Sequence, residues 1–277
     1  MGERQVLSET GTLASITLYP VKSLEGASVE RAEVLPNGSL KHDRRYSFFN
    51  TKAGTWIRAK DYPDLIRIRT HYDLTAQTIT LSVDDGTRTY DLEHPGAREA
   101  LGSWMSAFLK KDVELRENTK DAFFDDRKRE RYGVALISTA TLRRTAEWFP
   151  QLPLEEVQRR MRMNLVVDQV SPFWEEAAIG KDRKHGVQVG GVTFCDPWPC
   201  SRCTVPTRDS HTAEMDKSFA DVLGKRRQAE TPENAYLRAL AHHADFKGFF
   251  TLGVRTNGRT EGNVSEIAVG DQVSVCV

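Results

Sequence analysis

Pro199-Cys200-Ser201-Arg202-Cys203-Thr204-Val205-Pro206-Thr207 is the stretch on which the reading of this chain turns, because three of its four cysteines fall at positions 195, 200 and 203. A thiol beside a guanidinium and two hydroxyls suits a soft metal or a reactive sulfur, since nearby positive charge favours the thiolate. A structural zinc site needs four Cys or His ligands at recognisable spacing, and Cys200/Cys203 has no second close pair. A thioredoxin-type C-x-x-C opens a helix after a strand. Here Pro197, Pro199 and Pro206 surround the cysteines, which predicts a loop and makes redox exchange the weaker reading. Two ordinary buried cysteines stay open as an alternative.

Working outward, 277 residues with 39% hydrophobic and 28% charged side chains describe a globular chain with room for two modest cores or one large one. Lys+Arg and Asp+Glu both number 39, so nothing in the overall charge points to nucleic acid or an anionic membrane, and any anion has to be held by local arginines. Residues 1–10 lack the basic-then-apolar order of a signal peptide, and no apolar run approaches a membrane span. Four cysteines are too few for a disulfide-stapled scaffold. The expectation is a cytoplasmic protein with free or metal-bound thiols.

Strand signals dominate the first part: 13–19, 28–35 running into Pro36-Asn37-Gly38, 45–49, 55–58, 65–69, and 78–83 running into Asp84-Asp85-Gly86. They predict a small β-barrel or sandwich, followed by a helix over about 95–110, where Ala100, Leu101, Trp104, Met105 and Phe108 recur at helical spacing. The nearly all-charged run 117–131 reads as a solvated connector and sets the domain boundary, giving domains 1–120 and 121–277. Beyond it the patterns predict strands at 134–138 and 164–167, a helix at 139–148, a hairpin over 186–195, short helices at 219–223 and 235–242, and strands at 249–254 and 272–277. The fold class is mixed α/β and mainly antiparallel.

Four further places could carry chemistry, each with a plainer alternative. Tyr19-Pro20-Val21-Lys22-Ser23 offers a lysine and a hydroxyl on a turn, for an anion or merely for solvent. In His42-Asp43-Arg44-Arg45, Arg44 could reach a phosphate or pair with Asp43. Arg162-Met163-Asn164 offers charged donors and an amide, or ordinary surface polarity. Ser138-Thr139 stands at a helix amino terminus, where anion binding and helix capping need the same residue types.

The order of these motifs along nearly the whole chain resembles the MOSC family, named for the carboxy-terminal domain of molybdenum cofactor sulfurases. The first part looks like the MOSC-associated β-barrel domain and the second like the MOSC β-barrel-like domain with helices. The chain is similar to the mitochondrial amidoxime-reducing component and its bacterial relatives. The resemblance implies a pyranopterin molybdenum cofactor, Mo-molybdopterin, held between the two domains, with Cys203 as catalytic residue and metal ligand, and with Arg202 helping to keep Cys203 ionised. It also implies cofactor contacts from Lys22, Ser23, Arg44, Arg162, Asn164, Ser201 and Arg202, with Ser138 and Thr139 where the family has further polar contacts. Two departures stand out. Arg162-Met163-Asn164 replaces the family's Arg-Pro-Asn, and Phe249 matches the position of a cofactor-site tyrosine, which removes a hydroxyl donor.

The implied activity is an oxidoreductase acting on a small N-hydroxylated, or N-oxide- or S-oxide-like, substrate. No C-x4-C-x2-C cluster follows the last predicted strand, so a fused 2Fe-2S domain is not expected and electrons would come from a separate ferredoxin- or cytochrome b5-like protein with its reductase. Nor is a pyridoxal-phosphate domain expected. The rival class is a carrier, in which Cys203 or Cys200 bears a persulfide or the chain delivers the cofactor without turnover.

Overall fold

The computed structural model describes residues 6–84, 86–119, 122–123, 133–179, 185–230, 249–256, 260–261 and 266–276. The chain opens in a long strand, β1 (Val6–Leu18), followed by β2 (Ala27–Val29), β3 (Arg31–Glu33), β4 (Tyr46–Asn50), β5 (Thr55–Trp56), β6 (Arg69–Asp73), β7 (Thr78–Val83) and β8 (Gly86–Asp91). Helix α1 (Pro95–Leu109) and β9 (Val113–Glu117) complete the first half. The second half runs β10 (Ala135–Ser138), α2 (Thr139–Trp148), α3 (Leu154–Met161), β11 (Leu165–Asp168), β12 (Gly186–Val189), β13 (Val192–Cys195), β14 (Trp198–Ser201) and α4 (Phe219–Glu230). It ends with β15 (Thr251–Arg255), β16 (Thr260–Glu261), β17 (Glu266–Ala268) and β18 (Gln272–Cys276).

One large sheet has the order β14-β15-β10-β11-β1-β18-β12-β13-β16, with β2 pairing β1 to the side. The first strand therefore lies in the middle of a sheet built otherwise from the second half. Leu13 and Ile16 are both fully buried although three residues apart, a spacing that a regular strand would send to opposite faces. A bulge between Leu13 and Ser15 inserts the extra residue that brings them to one side. β10 and β11 are parallel, joined by α2 and α3, and both read as unbroken apolar runs because both faces are covered. Leu136, Leu165 and Val167 join one core with Val187, Phe194 and Val273, while Ala135, Ile137 and Val166 face Leu142, Phe149, Met161 and Phe219 on the helical side.

The first half has its own core, with Tyr46 and Phe48 of β4, Ile79 and Leu81 of β7, and Leu101 and Met105 of α1. Its sheets are β5-β4-β9 and β6-β7-β8, and all their pairings are antiparallel. The fold is mixed α/β and mostly antiparallel, as the patterns predict.

Several elements differ from the sequence reading. The predicted strand 65–69 is a 3-10 turn, Pro63–Arg67, because Leu65 and Ile68 are buried three apart, a turn spacing, and β6 begins only at Arg69. The single strand predicted at 28–35 is broken, since β2 pairs β1 whereas β3 pairs β17. The stretch predicted as a loop around Cys200 contains β14, an edge strand pairing β15 alone, and at an edge a proline costs no ladder bond on the open side. The helix predicted at 235–242 lies outside the described residues. Among the described residues, no helix is long and apolar enough to cross a membrane.

Candidate functional site

Three corners of the structure deliver the predicted residues to one cavity of about 260 Å³. The turn after β1 brings Lys22 and Ser23. It is pinned where the Lys22 N–H donates to the Tyr46 carbonyl at 2.8 Å, and Ser23 takes a left-handed φ of 74°. Arg44 arrives from the following loop. Its backbone N–H donates to the Tyr19 carbonyl at 2.8 Å, and Asp43, whose Oδ1 accepts the Tyr19 N–H at 2.8 Å, also pairs with the Arg44 guanidinium. Arg162 is the left-handed cap of α3, φ 51°, so the helix end turns its side chain back over Tyr19. Arg44 and Arg162 lie 5.1 and 4.4 Å from the centre of that ring. Burial raises the Tyr19 phenol despite Arg162 and Arg44, so it stays protonated and donates to the Met163 carbonyl at 3.3 Å.

The third corner is the end of β14. Ser201 and Cys203 are exposed and Arg202 is half-buried, and all three line the cavity. Arg202 does not sit on Cys203. Its Nη1 donates to the Cys200 sulfur at 3.0 Å and its Nη2 to the Met161 carbonyl. The guanidinium is thus hydrogen-bonded to the inner cysteine of the motif. Burial pushes the Cys200 thiol up, but Arg202, Arg255 and Arg44 together bring it below the ordinary thiol range. The Cys203 sulfur accepts the Val205 N–H at 3.5 Å.

Seven predicted residues thus meet in the cavity: Lys22, Ser23, Arg44, Arg162, Ser201, Arg202 and Cys203. Four do not line it. Asn164 is buried behind the wall, where its amide donates to the Thr17 carbonyl at 3.0 Å and accepts the Ala135 N–H at 3.2 Å, with a longer contact of 3.4 Å to Arg44. It ties β1 to β10 and steadies Arg44 from behind. Ser138 caps α2, its Oγ accepting the Thr141 N–H at 3.0 Å, so the capping alternative is the one realised. Thr139 opens α2 outside the cavity wall, and Phe249 is half-buried outside it too.

Three cations of the wall were not singled out in the sequence: Arg58, Lys60 and Arg255. The alternation Arg58-Ala59-Lys60 after a strand and the basic end of β15 were the available signals. Seven Lys or Arg side chains line the cavity and no Asp or Glu does, in a chain whose formal charge is zero. Such a wall is built for an anion. Among the described residues no group of three His, Cys, Asp or Glu could hold a metal, so a metal bound at Cys203 would bring its other ligands with it. An exposed thiol in a strongly cationic cavity fits a phosphate-bearing cofactor with its own sulfur donors.

The model of the MOSC N-terminal beta barrel domain matches residues 10–121, and the model of the MOSC domain matches residues 128–274. Mitochondrial amidoxime-reducing component 1 of Homo sapiens is 25% identical over 267 residues, covering 83% of this chain and 76% of the relative. A molybdenum cofactor sulfurase of Caenorhabditis elegans is 22% identical over 247 residues, 78% of this chain but 32% of that longer protein. The solved YUAD protein from Bacillus subtilis aligns over 100% of this chain and 98% of its own at a TM-score of 0.37 and 11% identity, a loose likeness only. With a matching N-terminal barrel model ahead of a MOSC model that spans more than half of its length, the chain belongs to the MOSC domain family.

Proposed function

We propose that this chain binds Mo-molybdopterin and reduces small N-hydroxylated compounds, taking electrons from a separate carrier protein. The observation that carries the reading is an exposed cysteine thiol, Cys203, in the wall of a cavity lined by seven cations and no carboxylate. The N-terminal domain, 1–120, contributes Lys22, Ser23 and Arg44, and the MOSC domain, 121–277, contributes Arg162, Ser201, Arg202 and Cys203. The amidoxime-reducing relatives support the substrate class. The cofactor supplies two-electron oxygen-atom transfer, and the protein holds and tunes it. Overall, an N-hydroxylated compound, two electrons and two protons give the deoxygenated amine and water. Arg44 and Arg162, fixed by Tyr19 and by Asp43, would hold the cofactor's phosphate through charge-assisted hydrogen bonds, and Cys203 would offer its sulfur to the metal.

The burial of Cys200, 3% exposed, weighs against sulfur delivery from that position, so a carrier role would have to use Cys203. The deciding experiment measures molybdenum and pterin in protein from a host that makes the cofactor, then amidoxime reduction with an artificial electron donor. Stoichiometric metal with turnover is expected; metal without turnover of any N-hydroxylated compound would favour the carrier. Cys203→Ser is expected to keep the pterin and lose at least 100-fold in turnover, and retained turnover would remove Cys203 from its role as ligand.

A further inference from the structure

The cavity holds more positive charge than one phosphate needs, and that charge falls into two groups. Lys22 and Arg44 form the floor, 6% and 8% exposed. Arg44 and Arg162 lie over the Tyr19 ring, and Arg202 reaches the Cys200 sulfur beside them. This inner group therefore surrounds one place. Arg58 and Lys60 belong to a different one. They follow β5, and Lys60 is exposed where Lys22 and Arg44 are buried.

The rim pair is a constructed feature. Ser23 Oγ accepts the Ala59 N–H at 3.1 Å and so fastens the segment between the two cations to the turn that carries Lys22. Asp61 engages only Nε of Arg58, at 2.7 Å, and the two terminal amino groups of that guanidinium make no bond among the described residues. An arginine braced through its Nε, with both terminal amino groups open, is the geometry that receives a carboxylate or phosphate end-on. A phosphate monoester carries about −1.5 to −2 at pH 7, which the inner group can satisfy without the rim.

We propose that Arg58 and Lys60 form a second oxyanion subsite at the cavity rim, which holds a carboxylate or phosphate carried by the substrate. The inference rests on the preceding reading of the inner group as the cofactor-phosphate site. It makes the preferred substrate an anionic N-hydroxylated compound, oriented with its acidic group at Arg58 and its N–O end toward Cys203.

Two measurements test it. Cofactor-free protein is titrated calorimetrically with inorganic phosphate at low ionic strength, where two equivalents are expected for the wild type and one for Arg58→Gln/Lys60→Gln. A single equivalent that the double variant leaves unaltered would overturn the subsite. In the loaded protein, kcat/KM is compared for a neutral amidoxime and its carboxylate-bearing analogue. The double variant is expected to lower the ratio of carboxylate to neutral at least tenfold, and an unaltered ratio overturns the assignment to substrate. Release of one nucleoside monophosphate per molybdenum on acid treatment would also overturn it, because the second anion would then be the cofactor's own. Absence of molybdenum after expression in a competent host would refute the cofactor reading, and the phosphate stoichiometry would still decide the subsite.

Discussion

Arg202 separates the two cysteines of the motif. It lends its charge to Cys200, which is buried, and leaves Cys203 at the surface of the cavity. A thiolate is the reactive form, but alkylation also needs access, and 3% exposure denies it to Cys200. In cofactor-free folded protein, Cys203 is expected to react with iodoacetamide at least tenfold faster than Cys200, as read by mass spectrometry of partly labelled peptides. Equal rates would mean that β14 opens readily. Asn164 gives a second residue-scale test. Its amide holds two backbone groups across β1 and β10, and truncation leaves the buried Ala135 N–H and Thr17 carbonyl without it. Asn164→Ala is expected to cost about 2 to 3 kcal/mol in denaturant unfolding, from the price of unmade buried hydrogen bonds. If stability is unchanged, those groups have found other partners. Seven of the cavity residues could be read from the sequence, as could the Arg44–Asp43 pairing among the alternatives, whereas Arg58, Lys60, Arg255 and the partner of Arg202 could not. Arg202 stands next to Cys203 in sequence yet bonds Cys200.

At the scale of elements, the cap of α2 leads to a pH effect. Ser138 and Thr141 form a hydrogen-bonded pair at 2.8 Å, and Thr141 Oγ1 donates to Glu175 Oε2 at 3.2 Å. Burial, then the neighbouring charge of Glu176, pushes the Glu175 carboxyl up to about 7. A folded-state value above the ordinary one means that the protonated form is preferred. The stability is complete below the usual carboxylate range and is lost as pH rises through about 7, by on the order of 3 kcal/mol at 1.36 kcal/mol per unit. Glu175→Gln is expected to flatten the dependence of the unfolding midpoint on pH between about 5 and 7, and a slope equal to wild type would mean that Glu175 is not the titrating group. Elements whose burial follows one simple period, such as β7, α2 and the β12–β13 hairpin, were legible in the sequence. Helix α3 was missed although Val157 and Met161 are buried four apart, because the buried Glu156–Arg160 pair, 2.5 Å apart, reads as surface charge. Nothing local in Trp198–Ser201 announces a strand, since its partner β15 lies some fifty residues on.

For the whole molecule, the decisive feature is β1 in the centre of the large sheet, paired to β11 on one side and β18 on the other. A fragment comprising residues 121–277 lacks that strand and would hold two separated half-sheets with Leu165, Val167, Val273 and Val275 uncovered. It is expected to show no cooperative thermal transition by circular dichroism, whereas addition of a peptide covering residues 6–18 should restore one. A fragment that melts cooperatively alone would show that the half-sheets rearrange to close the gap. No periodicity could have revealed that thirteen residues at the start belong in a sheet with the far half.

That placement also sets a timetable for synthesis. β1 leaves the ribosome well before β18, so although β2 and β11 can pair with it earlier, the edge that β18 occupies has no partner until residues 272–276 emerge. At about 5–20 residues per second the interval is on the order of 10 to 50 seconds. The first-half core of β4, β7 and α1 is fully synthesised well inside that interval and can fold beside a nascent strand that is still waiting. During translation the newborn chain therefore carries one long strand edge that stays open until its last partner arrives.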